Sequence, residues 1–310
     1  LSLHDALPIS TLDFARTAER LGYHRLWVSE HHDNDRLAGS SPEVLIAWLL
    51  AQTSRLRIGS GGVMLQHYSP YKVAENFHLL ASLAPGRVDL GVGKAPGGLP
   101  LSTQALQGEQ AGQKDFPAQL AQLTRYLTEA TRPTGGDVAR ALPAPGQSPS
   151  RFLLGASPES ARLAARLGWN FVYAGFINAS EQAMREAILT FHEYAQAGKA
   201  LISLAALAAD TTEEAASLLA EQHNYRVTLG ERHVTVGSEA QALDFVRQAG
   251  AVDYRIEKQT LNVLHGTAEV IHQRLADLQQ SLHVDEFILH TPLSNPARRL
   301  RSVTLLAGQH

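Results

Sequence analysis

The sequence predicts an α/β fold, a (β/α)8 TIM barrel with insertions after its strands, and three observations carry that prediction. Short β-prone runs alternate with helical patterns along most of the chain, the rhythm of βαβ units in a parallel sheet. The 310 residues suit one barrel with insertions, so the whole of 1–310 is read as a single domain. A titratable run and a glycine cluster fall where strands should end, which is the face on which barrels place their chemistry.

Each element has a local reason. A helix is expected from Thr11 to Leu21, with Ser10 and Asp13 spaced as a capping box and Gly22 placed to end it. Arg25 to Ser29 is short and β-prone and runs directly into Glu30-His31-His32. Ser41 and Pro42 read as the cap and first residue of a helix reaching Thr53. A strand over Leu56 to Leu65, a helix over Tyr71 to Leu83 and a strand over Arg87 to Val92, ending in Gly93-Lys94, continue the alternation. Further strands are expected at Arg151 to Gly155, Asn170 to Ala174, Leu201 to Ala208 and Asp285 to His290. Helices are expected at Phe116 to Ala130, Glu159 to Leu167, Glu181 to Ala197, Thr212 to Glu221 and Thr267 to Leu282. That makes seven strands, one short of a closed barrel. Two insertions break the rhythm, at about 99–150 and 223–265, and insertions of this kind lie over the catalytic face as lids.

Composition narrows the function. A formal charge of −3 gives no electrostatic reason to expect nucleic acid or an anionic membrane as partner, so a small-molecule substrate is favoured. The chain has no cysteine, which excludes disulfides, thiolate metal sites and thiol nucleophiles and leaves the reducing cytoplasm as the unforced compartment. No apolar run reaches the roughly 18 residues of a membrane span, and no secretory signal is visible. The helix from Pro42 to Thr53 is apolar around most of its circumference; burial beneath an insertion and a subunit interface both explain this, and a homodimer is favoured.

Three segments carry chemistry. Glu30-His31-His32 ends a strand, and a histidine there can exchange protons near neutral pH. Gly59, Gly61 and Gly62 cluster in the second strand, which fits either a flat ring lying against the backbone or a plain β-bulge. Gly155-Ala156-Ser157-Pro158-Glu159-Ser160-Ala161 joins a strand to a helix and offers hydroxyls and free N–H groups to an anion, with Lys94 as counter-charge; a simple N-cap explains the serine equally well.

The succession Gly22-Tyr23-His24-Arg25-Leu26-Trp27-Val28-Ser29-Glu30-His31-His32, then Arg57-Ile58-Gly59-Ser60-Gly61-Gly62-Val63-Met64-Leu65, then Pro85-Gly86-Arg87-Val88-Asp89-Leu90-Gly91-Val92-Gly93 resembles the luciferase-like flavin monooxygenases. The resemblance continues through Gly155 to Ala165 and Gly266-Thr267-Ala268-Glu269, and covers nearly everything after Thr11. It implies reduced FMN, supplied by a separate flavin reductase, as the group that activates dioxygen. It also implies His31 as the catalytic histidine, a non-prolyl cis peptide at Ser60-Gly61 beneath the flavin ring, and a phosphate site at Lys94, Ser157 and Ser160 with the backbone of Ala156. No Gly-x-Gly-x-x-Gly run for a resident nicotinamide follows any strand.

Two departures stand out. Gly93 occupies the place of a reactive cysteine in bacterial luciferase. The family also opens on a strand that Leu1 to Ile9 do not resemble, with Pro8 interrupting any ladder, so the first strand is expected to be missing or altered and two strand edges to stand open. Alternatives are an F420-dependent hydride transferase of the same superfamily, which would need basic residues beyond Lys94, and a flavin-binding protein without turnover. A metal-dependent hydrolase is disfavoured, because the later strands end in too few ligands and no metal is expected.

Overall fold

The computed structural model describes residues 8–34, 39–108, 114–130 and 139–308. In chain order, the elements through the first insertion are α1 (Pro8–Arg20), β1 (Arg25–Val28), α2 (Pro42–Ala51), β2 (Arg57–Met64), α3 (Pro70–Leu83), β3 (Val88–Gly93), α4 (Pro100–Gln107) and α5 (Phe116–Glu129). They continue with β4 (Ser150–Gly155), α6 (Pro158–Leu167), β5 (Asn170–Ala174), α7 (Glu181–Tyr194), β6 (Ala200–Ala208) and α8 (Thr212–Ala220). The last part holds β7 (His223–Leu229), β8 (Arg232–Val236), α9 (Glu239–Gln248), β9 (Arg255–Thr260), β10 (Leu264–Gly266), α10 (Ala268–Leu282), β11 (Glu286–His290) and α11 (Pro296–Leu306). Many helices open on proline, whose fixed φ and missing N–H cost nothing in a first turn.

The central sheet runs β1-β2-β3-β4-β5-β6, every pairing parallel. The long β6 then serves two neighbours, β11 along Leu201 to Ala205 and β10 along Ala206 to Ala208. Helices cover the outer face. Side chains alternate across each strand, so Leu26, Ile58, Leu90, Leu153, Phe171 and Ile202 meet Ile46, Leu49, Phe77 and Ile188 in the layer between sheet and helices. Each such buried side chain contributes about 1.5 to 3 kcal/mol. The opposite set, Trp27, Phe152, Val172 and Leu201, packs in the interior, with Trp27 and Phe152 edge to face at 4.8 Å.

The interior carries charge at the end where the strands begin. Asp89, fully buried, accepts hydrogen bonds from Arg25 Nη1 at 2.5 Å, Trp27 Nε1 at 3.0 Å, Arg57 Nε at 3.0 Å and Arg57 Nη2 at 2.5 Å. Arg25 also reaches Glu286 of β11, Nε to Oε1 at 2.8 Å and Nη2 to Oε2 at 3.0 Å. Burial works against the Arg25 charge, but Glu286 and Asp89 outweigh it and hold its pKa above the usual value. Among the described residues no backbone ladder joins β1 to β11, so this side-chain bridge is what links the two strands. Of the stretch 1–9, Pro8 and Ile9 are the first residues of α1 and the rest lies outside the described residues. Because the helix already starts at Pro8, Ser10 sits inside its first turn rather than at the expected N-cap position.

The glycine cluster of β2 contains a β-bulge. The β2–β3 register shifts between Ser60 and Val63. A Cβ on Gly59 would lie 2.4 Å from the Asp89 carbonyl oxygen, and one on Gly91 would lie 2.1 Å from that of Ser60. At Gly59, Gly62 and Gly91 the strands approach too closely for side chains, whereas Gly61 faces the interior toward Trp27.

The second insertion, left unassigned by sequence pattern, forms an antiparallel sheet β8-β7-β9 with α9 upon it and its own small core of Val227, Ala242 and Val246. α4 and α11 also went unseen; α11 starts at Asn295-Pro296, where the Asn295 side chain caps the Arg298 N–H, a legible signal at the very end of the chain.

One carboxylate holds α1 to the turn before β2. Glu19 Oε1 accepts the backbone N–H groups of Ser54, Arg55 and Leu56 at 2.9, 2.6 and 2.9 Å. Burial alone would raise its pKa, yet these bonds and Arg55 pull it down to about 2. A carboxyl whose folded value lies below its unfolded one stabilises the fold above the ordinary value of 4.5 and loses that contribution as pH falls toward about 2. Glu19→Ala is expected to cost about 1 to 2 kcal/mol in urea unfolding at neutral pH. The deficit should vanish near pH 2; a deficit independent of pH would show that the charge contributes nothing.

Candidate active site

β1 ends at Val28, and the chain then turns Glu30 beneath the strand ends, where it is fully buried. Its carboxylate gathers three donors. Oε1 accepts from the Tyr68 hydroxyl at 2.8 Å and from His32 Nε2 at 2.8 Å, and Oε2 accepts the Met64 N–H at 3.0 Å. Met64 closes β2, and the short 3-10 turn Leu65–His67 behind it delivers His67 and Tyr68 to the same place. His67 lies edge to face with His32, ring centres 5.5 Å apart.

Both nitrogens of His67 are engaged. Nε2 donates to the Pro96 carbonyl at 2.6 Å, and Nδ1 accepts from Gln107 Nε2 at 3.0 Å. Burial pushes its pKa down, overcoming the Pro96 carbonyl and Glu30, so His67 is neutral at pH 7. Burial and the nearby Glu30 push Tyr68 far up, so it remains a phenol and a donor. The loop after β3 closes over this cluster. The His32 N–H donates to Gly97 O at 2.8 Å, and Gly97 needs to be glycine because its φ is +63° and a Cβ would sit 3.0 Å from the Glu30 carbonyl oxygen.

Glu30, His32 and His67 each bring a ligating atom within 4.8 Å of the others, a grouping that could hold a metal ion. Both Glu30 oxygens, His32 Nε2 and both His67 nitrogens are already in hydrogen bonds, so a metal would have to displace this set. The arrangement is a hydrogen-bonded cluster around one buried carboxylate.

The residues singled out from sequence fall at three places on one rim. His31 follows the buried Glu30 at the end of β1, half-buried, its N–H bonded to Gly39 O at 2.9 Å. In β2 the cis peptide joins Gly61 and Gly62, one residue beyond the expected Ser60-Gly61 bond. Ser60 faces the outer layer instead; its buried hydroxyl donates to Gly91 O at 2.8 Å and accepts the Gly91 N–H at 3.1 Å, so it is committed to the sheet. Gly61 faces the interior, 3.1 Å from Trp27 when given a Cβ.

The third place is the start of α6. Ser157 caps the helix, accepting the Ser160 N–H at 3.4 Å, and the two hydroxyls are 3.4 Å apart. Gly155 makes room for Ser160, since a Cβ there would meet the Ser160 Cβ at 2.4 Å. Glu159 also sits in this first turn, exposed; its own N–H and the Ser157 hydroxyl keep its carboxyl below the usual range. Lys94 lies two residues past Val92, and Gly155 two past its partner Leu153, so both leave the sheet at the same rim. Lys94 is exposed and forms no ion pair among the described residues.

A planar group with a phosphate fits these residues. By strand alternation, Gly61, Gly93, Ala174 and Ala205 line the interior at the mouth, and a Cβ on Gly93 would meet nothing nearer than Met64 at 3.9 Å. The exposed Lys94 and the hydroxyls and N–H groups at the start of α6 leave the sheet at the same rim. Sequence pattern found the rim and named His67 only as a fallback to His31, but missed Tyr68 and Gln107, which reach Glu30 and His67 through the turn after β2 and the insertion helix α4.

Comparison with known proteins agrees with this layout. The family described as luciferase-like monooxygenase matches residues 8–285. N-acetyl-S-alkylcysteine monooxygenase of Bacillus subtilis (strain 168) is 43% identical, covering 96% of this chain and 90% of its own. A luciferase-like monooxygenase of Escherichia coli (strain K12) is 32% identical over 95% and 89%. The crystal structure of apo-MsnO8 superposes with a TM-score of 0.78 at 29% identity, over 99% of this chain and 95% of that one. With strand order, rim geometry and sequence in agreement, the chain belongs to the luciferase-like monooxygenase family.

Proposed function

We propose that this chain is a flavin-dependent monooxygenase that takes FMN already reduced by a separate flavin reductase and uses dioxygen to oxidise a small organic substrate. The observation that carries the reading is the single rim on which the Ser157 and Ser160 hydroxyls, the unpaired Lys94 and a mouth lined by glycine and alanine stand together. Reduced FMN, when bound, supplies the electrons that activate dioxygen. Everything else falls to the protein. Ser157, Ser160, the Ala156 backbone and Lys94 bind the phosphate, and the Gly61-Gly62 peptide and Gly93 leave a flat floor for the ring. His31 holds or releases a proton beside it. One lysine and two hydroxyls suit one terminal phosphate, whereas the acidic tail of F420 would call for more basic groups than this rim offers.

The insertions exclude water. α4 lies over the turn that holds His67, and its Leu101 N–H donates to Gln248 Oε1 of α9 at 3.1 Å, so the first insertion is tied to the second. The relative that oxidises N-acetyl-S-alkylcysteines makes thioethers of that class the first substrates to assay. The homodimer rests on one surface: Val44, Ala47, Trp48 and Ala51 share the outer face of α2, and Leu79 and Leu83 continue it on α3, with Val44 68% and Leu83 70% exposed. No helix among the described residues is long and apolar enough to cross a membrane, and the cytoplasm is the proposed compartment.

Replacing Ser157 and Ser160 together by alanine is expected to weaken FMN by about 1 to 3 kcal/mol in a calorimetric titration while sparing riboflavin, which lacks the phosphate. Equal losses for both ligands would remove the phosphate from this helix. Val44→Glu combined with Leu83→Glu should convert a dimer to a monomer in sedimentation velocity, and a monomeric wild type would end the dimer proposal.

A further inference from the structure

We infer that His32, anchored by Glu30, is a second proton carrier of this site, and that Glu30 and Tyr68 are its positioning residues. Three polar hydrogens converge on the Glu30 carboxylate: the Tyr68 hydroxyl, the Met64 N–H and a hydrogen on His32 Nε2. A carboxylate accepting from Tyr68 and Met64 can only accept from His32 as well, so the His32 ring carries its hydrogen on Nε2. In the neutral ring that leaves Nδ1 with a bare lone pair. No hydrogen bond reaches His32 Nδ1 among the described residues, the atom is not sealed from solvent, and the side chain is 11% exposed.

The contrast with His67 sharpens the assignment. The two rings meet edge to face, yet His67 has a partner on each nitrogen and is held neutral by burial, so it has neither a free lone pair nor a mobile proton. His32 has one anchored nitrogen and one open one. The step it performs is a proton transfer alone. The Nδ1 lone pair takes a proton from a group in the mouth, the positive charge of the resulting ring lies against Glu30 at 2.8 Å, and the proton returns from Nδ1 to the group that next needs it. No electrons move through the dyad. Glu30 itself stays behind His32, Tyr68 and Met64, fully buried, and acts only through the ring it orients.

The kinetic part of this inference rests on the flavin reading, and the structural part does not. The test therefore begins with histidine-ring nitrogen NMR on the protein without flavin. Wild-type His32, assigned by comparison with His32→Gln, is expected as the Nε2–H tautomer, and Glu30→Gln should mix the two tautomers. Under excess reduced FMN, His32→Gln should lose about 10² to 10⁴ in product formed per oxygen consumed, with flavin affinity kept. Glu30→Gln should lose a comparable factor, and the double variant should be no worse than His32→Gln alone, because both changes disable one unit. Combining Glu30→Gln with His31→Ala should instead multiply the losses. An Nδ1–H tautomer in wild type, an unchanged tautomer in Glu30→Gln, or a full further loss from Glu30→Gln in the His32→Gln background would each overturn the inference. Should Glu30→Gln fail to fold, the wild-type tautomer and the His32→Gln coupling decide between these outcomes. If no condition yields turnover, the flavin reading fails while the ring spectrum still settles whether Glu30 holds His32.

Discussion

The buried carboxylate of Asp89 is the interaction around which the rest of the fold is arranged. It accepts hydrogen bonds from Arg25, Trp27 and Arg57, so one side chain of β3 holds both preceding strands and, through Arg25 and Glu286, reaches the last strand of the sheet. A lone buried carboxylate would be prohibitive. With two guanidinium groups and an indole N–H around it, the charge is matched and its lone pairs are occupied. The gain is geometric. This network and the Trp27–Phe152 pair fill the interior where the strands begin, and where they end its walls shrink to glycine and alanine.

The rim repeats the device with a different result. Glu30, also fully buried, is surrounded by a phenol, an imidazole and a backbone N–H rather than by guanidinium groups. Where Asp89 holds strands, Glu30 holds the His32 ring by its Nε2. The two acids are drawn to opposite ends of one interior by the same constraint, that a buried carboxylate must be fully hydrogen-bonded. The chemistry follows from what the donors are. Arginine at one end gives permanent charge and rigidity, and a phenol, an imidazole and a backbone N–H at the other satisfy the carboxylate without a second fixed charge. α4 and α9 are joined to each other through Gln248, and α4 is joined to the Glu30 cluster through Gln107 and His67.

Much of this was legible in the sequence. The alternation of strand and helix placed β1 to β6 and β11 within a residue or two, because each is a short apolar run bounded by glycine, proline or a cap. The rim positions of His31, Lys94, Ala156, Ser157 and Ser160 followed from the rule that barrel chemistry lies past strand ends. What escaped has physical reasons. The strands β7, β8 and β9 are polar, being covered on one side only by a single helix, so their pattern did not stand out from loop. The Glu30 network depends on pairings 34 and 38 residues apart in the chain, with Met64 and Tyr68, which no local pattern encodes. The cis peptide joins Gly61 and Gly62 rather than Ser60 and Gly61, and the bond of the Ser60 hydroxyl to Gly91 is visible only once β2 and β3 are in register.

The central claim is that this rim joins reduced flavin to dioxygen and passes one oxygen atom to a substrate. It is tested most directly by supplying the protein with reduced FMN, isotopically heavy dioxygen and a series of N-acetyl-S-alkylcysteines, with aldehydes, alkanes and sulfonates alongside, and weighing the products. The account predicts one heavy oxygen atom in the product of at least one substrate class and the other in water, with no product when FMN is omitted. Oxygen consumed wholly to peroxide across every class, or product carrying no heavy oxygen, would contradict it.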